Sequence, residues 1–429
     1  MNTQNWNFQR TGQDLRALML CALSLAAACQ MNSAAAEPLS TEPNTLRQAV
    51  DAALERLPES HSSAQRREAA DAQARASRSW TAEPPVLELS MKSDRLNSNL
   101  GAREMVAGVA ASLWLPGQRE QTMALAKAEQ DADPLRLQAA RWRAAGLVRE
   151  AWWGIHSARN DVAVAQNRVS HAEQLVRDVE RRVRAGDLAR ADQHQADALL
   201  SSAVAELASA RSGQGRALQA LRMLTGRPAA APPVAEPEAV PASTAATVTS
   251  AVDGHPAVQE LTARAELARR AFDLAGTQTR ANPELTLATT RERTASGSPS
   301  DQSISLGVRI PFGSSDRHAA KLAAAGALRT EAEIQLALER ERIAGDIELA
   351  QQRIANLRVG AEAAQRRATL GRELQGFNEK AFRLGQTDLP GRLRIDMEAF
   401  EAERQAARAQ IELASAISQL RQALGLMPE

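Results

Sequence analysis

The side chains able to do chemistry are six histidines, two cysteines and many carboxylates, and their spacing argues against a reaction centre. His61, His156, His171, His194, His255 and His318 show no metal-ligand spacing. Both cysteines, Cys21 and Cys29, fall within the first thirty residues, so neither can help them in an exported chain. Each histidine reads as a surface or helix-seam residue. No G-x-S-x-G, no phosphate-cradling loop and no nucleophile with a base close in sequence is present. On the helical stretches Glu and Asp alternate with Arg and Lys, as a solvated face does. The net charge of +1 offers no one-sign field for nucleic acid. The expectation is a protein that is not an enzyme, with no cofactor, no metal and no nucleic-acid partner.

What remains are two short polar turns. The first runs R-A-G-D-L-A-R-A-D from Arg184 to Asp192; the second runs R-L-G-Q-T-D-L-P-G from Arg383 to Gly391. Their glycines, Gly186 and Gly385, lie 199 residues apart, and so do the glycines that close each return arm, Gly226 and Gly425. A fixed offset held over a whole arm is duplication. Leu57-Pro58 and His255-Pro256 carry it upstream at 198, as do Pro85 and Pro283. Each half therefore reads helix, two short strands, long helix, tight turn, long helix.

The elements follow from periodicity. From Thr45 to about Ser79, Leu46, Ala49, Val50, Ala53, Leu54 and Leu57 recur at helical spacing. The period changes to two over about 85–92 and 104–115, where Leu87, Leu89, Met91, Met105, Ala107, Val109 and Ala111 alternate with other residues. It does so again over about 283–291 and 303–312. A lone hairpin is barely stable in water, whereas about ten residues suit a tilted strand crossing a bilayer. Four strands cannot close, but three chains supply twelve and leave no edge in lipid. Trp80, Trp114 and Phe312 fall at strand ends, where an interfacial aromatic belt would sit.

The helical hairpins span about 119–226 and 316–425. Ile155, Val162, Val169, Val176 and Val183 recur every seven residues, with Ala158, Ala165, Ala172 and Val179 three places on. Such Ala-rich coiled-coil seams permit close approach. About 65 residues at roughly 1.5 Å each make a rod near 100 Å long. Residues 227–250, rich in Pro and Ala, read equally as an ordered strap or a plain linker. The domain plan is residues 1–36 as leader, 37–226 as first repeat, 227–250 as connection and 251–429 as second repeat.

Arg10 and Arg16 precede an apolar run from Ala17 to Ala28, and Ala34-Ala35-Ala36 before Glu37 fits signal cleavage between Ala36 and Glu37. A second reading acylates Cys29. Leu25 stands one place too early for that motif, which favours simple cleavage.

The leader, the duplicated plan and the paired tips with their closing L-x-x-x-x-G together resemble the TolC family of outer-membrane efflux proteins over nearly all of the mature chain. The fold class so implied is mainly α with a small β part. It would be a long α-helical coiled-coil barrel plus a trimeric twelve-stranded transmembrane β-barrel. The resemblance further implies a homotrimer in outer-membrane lipid of a Gram-negative cell, with a long periplasmic portion. Its tips would meet a periplasmic membrane-fusion adaptor and an inner-membrane pump of the RND type. Tip and entrance residues carried over are Arg184, Gly186, Asp187, Asp192, Arg383, Gly385, Asp388, Arg392 and Arg394. Asp192 falls where the family commonly has an Asp near the entrance. Gly391 and Arg394 stand where members with an acidic gate place carboxylates, so a second acidic ring is in doubt. A gate held by Arg383, Arg392 or Arg394 and plain solvated helix ends are both open. The P-G-Q-R and P-F-G-S-S-D-R stretches resemble members serving heavy-metal cation pumps. Drug or solvent efflux and protein secretion are the same-class alternatives. A soluble periplasmic coiled-coil adaptor is the alternative of another class.

Overall fold

A computed structural model describes residues 43–228, 237–241, 245–313 and 315–428. The leader, Ala36, Glu37 and Cys29 lie outside them. The elements are α1 (Leu46–Glu55), α2 (Pro58–Ala76), β1 (Val86–Ser93), β2 (Arg103–Ser112), α3 (Gln118–Ala185) and α4 (Arg190–Thr225). The second half has α5 (Ala245–Gly254), α6 (Pro256–Thr277), β3 (Glu284–Arg293), β4 (Asp301–Arg309), α7 (Ser315–Arg383) and α8 (Leu389–Ala423). Among the described residues no helix is long and apolar enough to cross a membrane.

The helical pattern from Thr45 to Ser79 is two helices, not one. Pro58 opens α2 and forces Leu57 out of the helical region, to φ −66° and ψ 122°. His255 before Pro256 repeats this at φ −66° and ψ 131°. The connection between the halves also differs from a plain linker, since α5 begins within it at Ala245.

The two strand pairs join into a single antiparallel sheet in the order β1-β2-β3-β4. Register sorts the side chains. Leu87, Val109, Leu287 and Leu306 stand in one cross-strand row, and Leu89, Ala107, Thr289 and Ile304 in the next. These rows share one face, on which Leu87, Leu89, Leu287, Ile304 and Leu306 are exposed. The other face carries Glu88, Gly108, Ala288 and Ser305 in one row. Gly108 is needed there, because a Cβ would lie 2.8 Å from the Ala288 Cβ. The strands begin and end at the helices, and Gln118 ties that junction together. Its Oε1 accepts from the Leu115 N–H at 3.0 Å and from Asn282 Nδ2 at 2.9 Å. At the far end the two hairpin loops meet, Ser296 N donating to the Leu100 carbonyl at 2.8 Å.

The heptad seam closes as its spacing predicts. Ala165, Val169 and Ala172 of α3 pack against Ala203 and Leu207 of α4, and Ala368 of α7 against Ala402 and Ala406 of α8. Close Ala–Ala approach needs no large side chains, and three tryptophans, Trp142, Trp152 and Trp153, are gathered on the stretch of α3 that meets α8. Trp152 and Trp153 join Val50, Val148 and Leu221 in one cluster. Trp153 Nε1 donates to Ser418 Oγ at 2.8 Å and Trp142 Nε1 to the Gln422 carbonyl at 2.9 Å, both tying α3 to α8.

Beside them the connection is pinned. Glu238 accepts from Arg149 at 3.1 and 2.9 Å and lies 3.2 Å from Arg421, with all three side chains at most 10% exposed. Arg421 Nη1 also donates to the Ala239 carbonyl. One carboxylate thus compensates an arginine from each repeat.

Two histidines are buried. His156 is 5% exposed, and His255 is fully buried against Trp142 with ring centroids 4.5 Å apart. His255 Nδ1 accepts from the Ala257 N–H at 3.2 Å, capping α6. Burial pulls both imidazoles below the ordinary value of 6.5; for His255 the Gln422 carbonyl, Glu339 and Asp346 oppose this and Arg342 adds to it.

Two outcomes are expected. Replacing Glu238 by Gln removes the carboxylate that two buried guanidiniums share and lowers unfolding free energy by about 3 kcal/mol in denaturant titration; an unchanged midpoint would remove the clasp from the account. A buried neutral histidine contributes stability above its unfolded pKa and loses it as pH falls below about 6.5. Melting temperature therefore drops on acidification through that window. The drop is shallower in a His255→Asn variant, which can still cap α6 but cannot titrate.

Candidate functional site at the paired helical tips

The first tip is built by a chain reversal. Helix α3 ends at Gly186 with φ +86°, where Gly186 N donates to the Val183 carbonyl at 3.1 Å and Asp187 N to the Arg182 carbonyl at 2.9 Å. The second tip repeats the motif: Gly385 has φ +72°, and Gly385 N and Gln386 N donate to Phe382 and Ala381. Nothing lies within 4 Å of a Cβ added at either glycine, so conformation alone calls for glycine here.

The return helices are capped by carboxylates. Asp192 Oδ2 accepts from the Ala189 N–H at 3.0 Å, and Asp388 Oδ1 from the Gly391 N–H at 3.1 Å. This accounts for Gly391, since a Cβ on residue 391 would sit 2.7 Å from that Oδ1. Asp192 and Asp388 are thus engaged locally.

Between the tips lies a small core of Leu175, Val179, Ala196, Phe382 and Leu389. Phe382 is 1% exposed. Two guanidiniums flank it, Arg182 of α3 at 4.4 Å and Arg392 of α8 at 4.8 Å from the ring centroid. Arg182 also donates to the Phe382 carbonyl at 3.1 Å. Arg392, with its side chain 12% exposed, lies 3.9 Å from Asp178 of α3 and 3.6 Å from Asp396 of α8. Burial raises the Asp396 carboxyl above its ordinary range, while Gln375, Arg392 and His171 hold it down. The arrangement couples the two hairpins through one aromatic ring and one ion-pair chain.

The remaining sequence-derived residues are distributed around this core. Arg184, Gly186, Asp187, Arg383, Gly385 and Arg394 are exposed. Arg383 pairs with Glu379 on its own helix. Arg184 and Arg383 share a groove of about 720 Å³ with Arg177, Arg181, Glu180 and Glu379. The belt residues occupy the other end of the chain. Trp80 and Phe312 are almost fully exposed in the helix–strand connections, and Trp114 Nε1 donates to the Ser79 carbonyl at 3.2 Å. Among the described residues, no group of three His, Cys, Asp or Glu side chains could hold a metal ion.

Arg182, Asp178 and Phe382 were not singled out from sequence. The signal was present for Phe382: the 199-residue offset aligns it with Val183 of the seam, so an aromatic ring stands where the first copy has an aliphatic.

A four-stranded sheet is set on paired helical hairpins about 100 Å long. Residues 49–227, spanning the first repeat, match the family model described as outer membrane efflux protein. No curated protein matches the chain by sequence. Among solved structures it is similar to the CmeC outer membrane channel of Campylobacter jejuni, with TM-score 0.73 at 16% identity over 90% of this chain and 86% of that one. It is also similar to CusC, with TM-score 0.73 at 16% identity over 89% and 92%. The open-state MtrE outer membrane channel of Neisseria gonorrhoeae matches with TM-score 0.71 at 18% identity over 89% of each chain. The resemblance seen in the sequence is borne out to this extent: residues 49–227 match the outer membrane efflux protein family, and the described chain has the fold of TolC-like channels.

Replacing Phe382 by Ala removes the ring that both guanidiniums share and should destabilise the tips by about 3 kcal/mol. Faster protease cleavage near residues 186 and 385, with the rest of the chain resistant, is the expected result. Equal cleavage rates would show that the tips are held by other contacts.

Proposed function

We propose that three copies of this chain close a twelve-stranded barrel in the outer membrane and a helical tunnel beneath it. In this reading the protein is the passive exit duct of a tripartite efflux system. The observation that carries it is the sheet: its leucines and Ile304 share one face, the other face is mostly polar or small, and among the described residues the edge strands β1 and β4 each pair on one side only. Open edges are not tolerated in hydrocarbon, and a β4-to-β1 pairing between copies removes them.

Helix α7 supports the same assembly. Its Ile343, Ile347, Ile354, Ala361 and Ala368 are buried, while Leu338, Leu349, Val359, Leu370 and Phe377 are exposed. At about 100° per residue these sets lie on opposite sides of the helix, so the second stripe needs a neighbour outside this chain. The tips, with Leu384 exposed beside Gly385, are the face we assign to a periplasmic adaptor, and an RND-type pump in the inner membrane would supply the energy. For the cargo we take heavy-metal cations, on the stretches entering α3 and α7 alone.

The assembly is tested by two substitutions on adjacent residues. Leu306→Arg buries a charge on the lipid face and costs about 2–4 kcal/mol, so membrane-inserted, heat-resistant trimer should be lost. Ser305→Arg points into the lumen and should leave trimer yield unchanged. Equal effects would reject the assignment of faces, and a soluble monomer in the periplasmic fraction would reject the duct in favour of an adaptor. Cargo is tested by cell-associated Zn, Co, Ni and Cu against an efflux dye in deletion and complemented strains. Raised metal with unchanged dye supports the metal reading; the reverse result retires it for drug export.

A further inference from the structure

The outward face of the sheet carries a second pattern beyond its apolar rows. Past the row of Leu89, Ala107, Thr289 and Ile304 comes Met91, Met105, Arg291 and Gln302, and then Ser93, Arg103 and Arg293. These last two rows lie at the hairpin-loop end, away from the helices. Every charged residue at an outward position of the four strands is one of these three arginines. The carboxylates of the strands, Glu88, Glu104, Glu284, Glu292 and Asp301, all occupy inward positions. Nearby Asp94 is turned into its own loop, accepting from Ser98 Oγ at 3.0 Å and from the Leu100 N–H at 2.6 Å. The helix-proximal outward row, Ala111, Leu285 and Val308, has no charge.

A generic interface would place polar groups of either kind at both ends of the band. This face has cations at one end only, all of them arginine, and no acid to neutralise them. Arg103 and Arg291 are exposed, and Arg293 reaches the Gly101 carbonyl at 3.4 Å, which holds its guanidinium beside the loops. The planar guanidinium fork suits a phosphate better than an ammonium does. Neighbouring outward positions on one strand are two residues, about 7 Å, apart, so the cluster begins where the apolar rows end, at headgroup depth.

We propose that Arg103, Arg291 and Arg293 bind phosphate-bearing headgroups of the outer-leaflet lipid, forming a basic girdle around the loop end of the barrel. The inference rests on the outer-membrane reading above. Apolar rows hold the sheet in hydrocarbon; the girdle fixes its depth and its choice of lipid.

The test uses the purified trimer in three kinds of vesicle: phosphatidylcholine alone, phosphatidylcholine with bis-phosphorylated lipid A, and phosphatidylcholine with dephosphorylated lipid A. The heat-resistant trimer should melt roughly 5 °C higher with the phosphorylated lipid and show no gain with the dephosphorylated one. The Arg103→Gln, Arg291→Gln, Arg293→Gln variant should melt as wild type in phosphatidylcholine and lose most of the gain. Inorganic phosphate added to phosphatidylcholine vesicles should not reproduce it. A gain retained by the variant, reproduced by free phosphate or equal with both lipid A forms overturns the proposal while leaving the duct intact. If the variant does not fold, the wild-type comparison of the two lipid A forms decides alone. A chain that enters none of the vesicles overturns the duct reading and this one with it.

Discussion

A peptide group in hydrocarbon has no water to bond, and under the proposed function that constraint reaches into almost every part of this molecule. A four-stranded sheet satisfies its inner ladders but leaves two edges. Only other copies can pair those edges without adding chain. In the proposed assembly copies that meet at the sheet also meet along the helices below it, since short connections join β2 to α3 and β4 to α7. The second apolar stripe of α7 is the helical counterpart of the unpaired sheet edge.

Duplication sets how the rest is packed. Two long hairpins lying side by side need seams that are straight and narrow, and Ala at heptad positions provides that at little side-chain entropy cost. Narrow seams bury little area per residue, so cohesion is concentrated at a few places: the tryptophans between α3 and α8, the Gln118–Asn282 junction below the sheet, and Phe382 between the tips. Each joins one repeat to the other. The repeats are held to each other by the residues that differ from copy to copy, and within themselves by those that repeat.

How much of this was legible depended on the range of the interaction. The turns at Gly186 and Gly385 and the Val–Ala seams are local and periodic, so spacing revealed them. Pro58 was equally local, yet the helical pattern from Leu46 continues across it and masked the break. Which strands of the two hairpins meet was not readable, because Val109 pairs with Leu287 across 178 residues and alternation alone does not say so. Glu238 was invisible for the same reason. In a Pro/Ala-rich segment one carboxylate looks solvated until two guanidiniums from distant helices converge on it. At the tips the residue types were legible and their roles were not: Asp192 and Asp388 are spent on helix caps, while Arg392 links α8 to α3.

The Glu238 clasp has a consequence for symmetry. By the repeat offset, Arg421 of the second copy corresponds to Arg222 of the first, which is exposed and, among the described residues, faces no such strap. A ring of three duplicated chains looks sixfold when only its seams are considered. The clasp occurs at one kind of boundary, the one inside a chain, and so alternates around the ring. It therefore distinguishes a repeat's covalent partner from its neighbour in the next chain. In the proposed trimer that would reduce the pseudo-sixfold ring to a true threefold one and disfavour exchange of half-chains between subunits.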